Sequence, residues 1–495
     1  MRADATQRSA LDRSLVHGIA WTSAVTWFGQ IVTWAMTLIV VGFLTRDDYG
    51  VATAAAVYFG LVRMTSELGV GAAIVQFRSL DDQQVSQFNA LSVVAGLAAF
   101  GLSSALAVPI AMYFKEPRLP LVVIVMSAAF FINAFRVVPQ SLMQRELQFR
   151  RLALIESAQA ITVAISTVTL AALGYRYWAL AWGPVVGAVV FTALVLVYRR
   201  APFAWPRLEA IRQPLSFSAN TLGTRIAWYG YSNADTAVIG RALGSEVLGA
   251  WGVGTSLGGV AVEKVTALIV RVTPAIFAAV QNDLAEMRRY LLGVTEGLAM
   301  VTFPACVGIA LVAPDAVAVL WGDEWTSAVL PIQLLAILAM VRSIDPLVNQ
   351  ALSARGHARL NFRNAMLTLA VVPFGLYAGT TWGLEGVAVA SLILVPLFFC
   401  RLLLLALREL ELRARDYVAA LWPAVSSAAA MALVVLVAER TVLSSAHSIT
   451  MLVVKIVLGA VTYAAALFVL HRGQVRRMID FARKLRTSQP PTVTP

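Results

Sequence analysis

The sequence predicts an all-α integral membrane protein of about 14 transmembrane helices, and three observations support this. First, 59% of the 495 residues are hydrophobic and only 13% are charged, whereas soluble domains carry about 25% charged residues. Second, apolar runs of about 17 or more residues, each long enough to cross a bilayer, follow one another along the chain. Third, basic residues alternate between the connecting segments as membrane orientation requires.

The apolar runs fall into two sets of six and a final pair. The first set lies near 16–44, 49–76, 85–114, 119–143, 152–173 and 177–198. The second set lies near 214–240, 247–277, 291–312, 326–353, 364–380 and 382–400, and the final pair near 417–438 and 448–470. The first run is too long for the apolar region of a signal peptide and lacks a small-residue cleavage site, so we expect it to remain as a span.

Lys and Arg residues divide the connecting segments into two sets. The set that includes both chain ends holds 26 of the 39 basic residues, and the opposite set holds 6. Because basic connections stay in the cytoplasm, both termini are predicted to be cytoplasmic. The net charge of +12 is therefore mostly an orientation signal, and no basic soluble module is present that would indicate nucleic-acid binding.

The chain repeats itself after about 200 residues. "VVGFLTRDDYG" at 40–50 matches "VIGRALGSEVLG" at 238–249 with one inserted residue, which aligns Gly42 with Gly240 and Gly50 with Gly249. Each repeat contains six spans, so both begin on the same side of the membrane and form parallel, pseudo-symmetric lobes. Such lobes suit a transporter that rocks around a shared central cavity.

The repeat predicts four segments along the chain. They are an N-terminal six-helix lobe at 1–200, a C-terminal six-helix lobe at 201–410, two additional transmembrane helices at 411–470, and a basic cytoplasmic tail at 471–495. The tail interleaves basic and apolar residues at helical spacing, so we expect it to lie on the anionic inner surface of the membrane.

Several classes of protein are not indicated. The sequence has no Walker A motif, so no P-loop ATPase is encoded in it. Cys306 and Cys400 lie far apart in apolar runs, which indicates neither a disulfide framework nor a metal site. We therefore expect no cofactor, no bound metal and no catalytic residue.

Several motifs, in order and spacing together, resemble a known family. They are "FLTRDDYG" followed by "FGLVRMTSELGVGAAIVQ", "QRELQF" at 144–149, "NADTAVIGRALGSEVLGAWGVG" at 233–254 and "WGDEW" at 321–325. This pattern resembles the Wzx-type polysaccharide flippases of the multidrug, oligosaccharidyl-lipid and polysaccharide exporter superfamily, and within it the exopolysaccharide and lipopolysaccharide subgroup.

The resemblance implies a multi-pass protein of the bacterial inner membrane. Such a protein moves a polyprenyl-diphosphate-linked oligosaccharide from the cytoplasmic to the outer leaflet by alternating access, as a step in the synthesis of surface polysaccharide. Its partners would be the lipid-linked substrate and membrane lipids, with a polysaccharide polymerase and glycosyltransferases as further candidates.

Charged residues inside the predicted spans are the candidate functional residues. The basic ones are Arg63, Arg136, Arg225, Lys264, Arg271, Arg342 and Lys455, and the acidic ones include Glu67, Glu156, Asp235, Glu263, Glu296, Asp345 and Glu385. Each charge costs about 2.5–3.5 kcal/mol at the centre of a membrane helix. We therefore expect these side chains to face a wet cavity or a charged partner rather than lipid.

A diphosphate head group needs cationic donors to replace its water, and arginine supplies them in a planar fork. Arg63, Arg225 and Arg271, with Lys264, are the predicted substrate contacts, because the resemblance implies that the second, seventh and eighth spans line the cavity. Glu67, Asp235 and Glu263 are the predicted ion-pair or coupling residues. The alternative is that these charges form structural ion pairs, beginning with Arg63 and Glu67, which share a helical face.

Two other functions stay open at this point. An ion-coupled multidrug antiporter of the same superfamily would usually have twelve spans and an acid in the first helix, whereas the run 16–44 has none. A polyprenyl-dependent glycosyltransferase would use acids in the first external loop, where Asp47 and Asp48 lie. The short loop and its repetition as Ser245 and Glu246 argue against that enzyme.

Lys455 is predicted either to snorkel or to attract a lipid phosphate.

Overall fold

The computed structural model describes residues 29, 31–66, 70–71, 74, 80–146, 148–205, 229–441 and 449–474. All the regular structure in these ranges is helical. The chain divides into two compact units, residues 1–249 and 250–495. The lobe boundaries at 200, 410 and 470 stay predictions.

The first unit is built from helices, of which those at 82–114, 119–145, 149–172 and 178–198 match predicted spans closely. In chain order they are α1 Ile31–Val41, α2 Arg46–Ser66, α3 Asp82–Phe114, α4 Leu119–Arg145, α5 Phe149–Ala172, α6 Trp178–Tyr198 and α7 Ala234–Ala242, and α8 Ser245–Gly258 begins in this unit. Helix α4 packs against α2, α3 and α6, and α6 also packs against α5. Helix α4 is therefore the central element of this unit.

The second unit contains the remaining helices. They are α9 Val260–Ala279, α10 Leu284–Trp321, α11 Val329–Ala354, α12 Ala358–Gly379, α13 Gly383–Glu409, α14 Ala414–Thr441 and α15 Ile449–Leu470, with short 3-10 helices at Asp323–Ala328 and Thr380–Trp382. Helices α10, α11, α13 and α14 supply most of a buried core that includes Leu298, Leu347, Leu402 and Tyr417. Helix α15 packs on α14 and α10.

Most of the long helices have the length and hydropathy of membrane spans. Nine segments of the described ranges qualify, and one of them, Ala358–Glu409, contains both α12 and α13. The protein is therefore an all-α, multi-pass integral membrane protein, as the sequence predicts. The total of about 14 spans stays a prediction.

Local sequence explains where the longest helices begin. The Asp81 side chain accepts a hydrogen bond from the Gln84 N–H while the Gln84 side chain accepts one from the Asp81 N–H, a reciprocal cap for α3. Asp283 caps α10 by accepting from the N–H groups of Ala285 and Glu286. With 38 residues, α10 is about 57 Å long, so its first turns extend beyond a hydrocarbon core of about 30 Å.

Close helix packing in the first unit depends on small residues. A Cβ added at Gly183 of α6 would lie 2.0 Å from the Thr167 hydroxyl oxygen, and one at Gly187 would lie 2.3 Å from a Val163 methyl. Helices α5 and α6 therefore approach each other across two glycines one turn apart. Small residues of this kind are what allow membrane helices to pack closely without a hydrophobic driving force.

Candidate functional site

Arg63 lies in the last turn of α2, and its side chain is exposed. Ala56, Gly60 and Arg63 share one face of this helix, because residues four and three apart lie within one turn. A Cβ added at Gly60 would lie only 2.1 Å from the Tyr229 hydroxyl oxygen. The Arg63 face of α2 is therefore the one that turns toward the start of the second repeat.

Aromatic side chains surround this part of α2. The Tyr229 hydroxyl donates a hydrogen bond of 2.7 Å to the Val57 carbonyl oxygen and lies within electrostatic range of the Arg63 charge. One turn before Arg63, the ring of Phe59 stacks on the ring of Phe130 with centroids 4.5 Å apart. Aromatic packing thus holds the part of α2 that leads to Arg63.

Asp235 is buried at the start of α7, only 7% exposed. Its carboxylate accepts a hydrogen bond of 2.8 Å from the N–H of Thr236, which lies in the first turn of the helix. The positive end of a helix favours a carboxylate at this position. Helix α7 packs against α2, so the structure brings the elements that carry Asp235 and Arg63 together.

The other predicted site residues are only partly within the described structure. Glu263, Lys264 and Arg271 lie on α9, but their side chains are outside the described part of the chain. Glu67 and Arg225 are entirely outside it. The roles predicted for all seven residues stay predictions.

Helices α2 and α8 cross at the two glycines that the repeat aligns. A Cβ added at Gly50 would lie 1.8 Å from the Ser245 carbonyl oxygen, and a Cβ added at Gly249 would lie 1.8 Å from the Arg46 carbonyl oxygen. Arg46 and Ser245 are themselves equivalent in the repeat alignment, so the contact is reciprocal. Only glycine allows the backbones to approach so closely.

Side chains at this crossing also form a reciprocal pair of contacts, each joining one repeat to the other. The Arg46 guanidinium pairs with Glu246 at 2.6 Å, and the Ser245 hydroxyl donates to the Asp47 carboxylate. We call the contacts of Arg46, Asp47, Gly50, Ser245, Glu246 and Gly249 the α2–α8 crossing. Sequence reasoning aligned its glycines but did not predict that they touch.

An ion network supports the N-terminal end of α2. Arg118 binds Asp47 through two nitrogens at 2.7 and 2.9 Å and binds Glu116 at 2.7 Å. Hydrogen bonds from this guanidinium hold the pKa values of the Asp47 and Glu116 carboxyls below their ordinary range, against the opposing effect of burial. The same two carboxylates raise the pKa of Arg118.

Asp48 is enclosed next to this network. Its side chain is 1% exposed, accepts a hydrogen bond of 2.7 Å from the Thr45 hydroxyl and pairs with Arg176 at 3.1 Å. A catalytic base must reach its substrate, whereas both acids of this loop are engaged with neighbouring side chains. The geometry gives no support to the glycosyltransferase alternative.

Lys455 adopts neither of its two predicted roles. It is 4% exposed, its ammonium pairs with Asp315 of α10, and it lies 3.0 Å from the Glu439 carboxylate of α14. Neither snorkelling nor a free cation for lipid phosphate fits these contacts. The partners were not predictable from local spacing, because Asp315 is distant in sequence.

Arg136, another candidate from the predicted spans, has polar and aromatic neighbours, and the possible metal ligands form no cluster in the described ranges. The Arg136 guanidinium donates to Asn133 at 2.8 Å and to Gln140, and lies 4.4 Å from the centre of the Phe191 ring. Within the described ranges, no group of three or more His, Cys, Asp or Glu side chains could hold a metal ion.

Comparison with solved structures agrees with this architecture. The chain is similar to the lipid II flippase MurJ in an inward closed conformation, with a TM-score of 0.71, 14% sequence identity, and coverage of 92% of this chain and 99% of that one. It is also similar to an inward-facing multidrug resistance MATE family transporter, with a TM-score of 0.63, 13% identity, and coverage of 78% and 96%. At these identities the likeness shows the fold.

Sequence comparison extends the likeness to relatives in polysaccharide synthesis. The chain is 24% identical to the lipopolysaccharide biosynthesis protein WzxC of Escherichia coli (strain K12), over 78% of this chain and 79% of that protein. It is 23% identical to the succinoglycan biosynthesis transport protein ExoT of Rhizobium meliloti (strain 1021), over 97% and 98%. A model of the family described as "Polysaccharide biosynthesis protein" matches residues 39–330. This match covers more than half of the sequence and confirms the predicted resemblance: the chain belongs to the polysaccharide biosynthesis protein family.

Proposed function

We propose that this protein is a flippase that moves a polyprenyl-diphosphate-linked oligosaccharide from the cytoplasmic to the outer leaflet of a bacterial inner membrane. The observation that carries the proposal is the exposed arginine Arg63 on α2, within the predicted span 49–76, of a chain that belongs to the polysaccharide biosynthesis family. A charge in a membrane span is costly, and binding an anionic substrate would give Arg63 a function that offsets this cost.

The head group supplies the chemical reason for arginine. A diphosphate diester carries about two negative charges, and removing the water of each ion costs at least several kcal/mol. The planar guanidinium stays protonated and can donate two parallel hydrogen bonds to phosphate oxygens. The proposed contacts of the diphosphate are Arg63, Arg225, Arg271 and Lys264. Each would replace part of the hydration that the diphosphate loses as it crosses the membrane.

The membrane potential favours this direction of transport. Moving one charge across it contributes about 2.3 kcal/mol per 100 mV, so two negative charges leaving a negative interior gain about 4–5 kcal/mol. Glu67, Asp235 and Glu263 are proposed as ion-pair or coupling residues that compete with the substrate for the cations. Release of Arg63 from a carboxylate would then accompany substrate binding.

The basic-residue pattern supports a membrane orientation with both termini in the cytoplasm. In the proposed orientation the α2–α8 crossing would lie at the outer side of the membrane. A polysaccharide polymerase and glycosyltransferases are proposed as partners because they would consume and supply the substrate.

The test is a substitution series in a strain whose surface polysaccharide depends on this protein. Arg63→Ala is expected to reduce export at least tenfold, and Arg63→Lys to retain part of it, because lysine keeps the charge without the bidentate fork. Arg440→Ala, the same change at an exposed arginine in the last turn of α14, is the matched control. Immunoblots of membranes establish equal amounts of each variant.

Two measurements report the result. One is the amount of surface polysaccharide, and the other is the lipid-linked oligosaccharide that accumulates in the inner leaflet when flipping stops. Normal surface polysaccharide with Arg63→Ala at wild-type abundance would contradict the phosphate role of this residue. A deletion strain with changed drug sensitivity and normal polysaccharide would instead favour the multidrug antiporter.

A further inference from the structure

Pro274 lies inside α9, four residues after Val270. Proline has no N–H, so it cannot donate the hydrogen bond that the carbonyl four residues earlier would otherwise receive in an α-helix. The Val270 carbonyl oxygen therefore loses its ordinary donor within α9. It lies in the predicted span 247–277, where no water replaces the missing bond and a neighbouring helix must supply the donor.

Gln350 of α11 supplies this donor. Its side-chain Nε2 donates a hydrogen bond of 3.2 Å to the Val270 carbonyl oxygen, and its Oε1 accepts one from the hydroxyl of Thr273, a residue that is 2% exposed. Helix α11 packs against α9. The Gln350 amide thus binds α9 at two points within one turn, directly before Pro274, with its donor and its acceptor both used there.

Pro304 and Pro314 of α10 have the same arrangement. The Tyr463 hydroxyl of α15 donates a hydrogen bond of 2.7 Å to the Met300 carbonyl oxygen, four residues before Pro304. The Gln333 side chain of α11 donates one of 3.1 Å to the carbonyl oxygen four residues before Pro314. A side chain of another helix replaces the missing N–H at both places, so compensation of a proline in this way recurs in the second unit.

The bond from Gln350 acts on the peptide group that joins Val270 to Arg271. Because a peptide group is planar, a bond that fixes its carbonyl also fixes the Cα atom from which the Arg271 side chain extends. Prolines are the usual sites at which helices bend, so the direction of α9 is least fixed by its own hydrogen bonds in the turn that carries Arg271. Gln350 restrains that turn from outside the helix.

We propose that Gln350 is a positioning residue for the substrate site, which holds the backbone of Arg271 where Pro274 weakens α9. Gln350 acts through the backbone and does not itself touch the diphosphate. A contact that is fixed in advance binds with a smaller loss of entropy, so Gln350 should affect the affinity for substrate more than the rate at which bound substrate moves. The binding role rests on the proposed flippase function and on Arg271 as a contact, whereas the restraint on α9 does not.

Electron paramagnetic resonance of the purified full-length protein tests the restraint. A nitroxide is attached through Val272→Cys, at a residue that is 57% exposed, in a Cys400→Ser background that leaves only a buried thiol. Gln350→Leu, which keeps a similar size without polar atoms, should shorten the rotational correlation time of this label. With Pro274→Ala also present, the Val270 carbonyl regains a donor within α9, and Gln350→Leu should have little effect. Equal label motion with and without Gln350, or equal increases in both backgrounds, would overturn the proposal.

Transport in proteoliposomes, measured over a range of lipid-linked oligosaccharide concentrations, tests the binding role. Gln350→Leu should raise the half-saturating concentration about tenfold, as expected for loss of one buried hydrogen-bond partner, and leave the maximal rate within about twofold. In a Pro274→Ala background the same change should raise it less than about twofold, because the two residues are coupled. Gln333→Leu is the matched control, because it removes the bond to the Ala310 carbonyl of α10, a helix that carries none of the proposed contacts.

The outcomes separate this proposal from the proposed function. A half-saturating concentration that is unchanged in Gln350→Leu, or is raised as much by Gln333→Leu, would refute the positioning role and leave the flippase function intact. Failure of the wild-type protein to move lipid-linked oligosaccharide would refute the proposed function, and the binding role of Gln350 with it.

Discussion

Replacing Lys455 with methionine should destabilise the second unit by about 3–5 kcal/mol, the range for breaking a buried ion pair from one side. Methionine keeps most of the side-chain volume of lysine, so the change removes mainly the ammonium. Asp315, whose side chain is 6% exposed, then loses its lysine within the protein interior. The folded-to-unfolded ratio should fall roughly a hundred- to several-thousand-fold.

The two acids bonded to Lys455 should differ in importance. The Glu439 side chain is 43% exposed, so water and lipid head groups can solvate it. Glu439→Gln should therefore cost no more than about 1 kcal/mol, as for exposed ion pairs. The double variant Lys455→Met with Asp315→Leu should recover much of the lost stability, because an apolar replacement of a buried pair is often neutral or favourable.

The protein carries a thiol that reports this unfolding. Cys306 of α10 is buried and Cys400 of α13 is exposed, so a Cys400→Ser background leaves one thiol, which should react with a maleimide dye only after the unit opens. Lys455→Met should raise the labelling rate of Cys306 at least a hundredfold. The reasoning fails if the rate changes less than about fivefold, or if Glu439→Gln accelerates labelling as much as Lys455→Met.

Three further predictions concern the first unit and the topology. Arg118→Gln should lower the thermal midpoint at neutral pH. Because Asp47 and Glu116 have lowered pKa values in the folded protein, their stabilisation is present above the unfolded values of 3.8 and 4.5 and is lost as pH falls through the folded ones. The melting curves of wild type and variant should therefore converge at acidic pH, and a constant gap would contradict this account. Gly249→Ala should cost about 1–3 kcal/mol by forcing the α2–α8 backbones apart, as measured by chemical unfolding, whereas Gly101→Ala, with no atom within 4 Å of its added Cβ, should be neutral or slightly stabilising. A C-terminal fusion to alkaline phosphatase should be inactive and a fusion to green fluorescent protein should be bright, because the tail is predicted to be cytoplasmic; the reverse result would refute the assigned orientation.

Hydropathy predicted the interiors of the helices well and their ends less well. The predicted run 119–143 agrees with α4 Leu119–Arg145, but the run 291–312 falls short of α10 Leu284–Trp321. The first turns of α10 carry Glu286, Arg288 and Arg289, and such residues continue a helix outside the bilayer without adding to its hydropathy. Capping by Asp283, rather than apolar composition, determines where this helix begins.

The eighth predicted span shows a second difference between sequence and structure. The continuous apolar run 247–277 is interrupted in the structure, where α8 ends at Gly258 and α9 begins at Val260. The adjacent Gly258 and Gly259 were a local signal for this break, since glycine weakens a helix interior. Hydropathy averages over such a break because the flanking residues are uniformly apolar.

The sequence predicts which charged residues lie in the spans but not what they contact. The cost of charge in a membrane singles out Arg63, Asp235, Asp345 and Lys455 as candidates, and their roles stay predictions. Their partners were not identified, because spacing rules apply within one helix, whereas Lys455 finds Asp315 on another. Such pairs depend on tertiary packing, which the spacing of residues in a single sequence does not reveal.

The reciprocal contacts at Gly50 and Gly249 give the α2–α8 crossing a local two-fold symmetry. Each repeat contributes one donor, Arg46 or Ser245, and one acid, Asp47 or Glu246, and each donor meets the acid of the other repeat. A two-fold symmetric pair of identical chains would have the same arrangement, since its contacts occur twice with partners exchanged. The crossing thus has, inside one polypeptide, the self-complementary form of a homodimer interface. Arg118, which binds Asp47, belongs to one side of this crossing and breaks its symmetry.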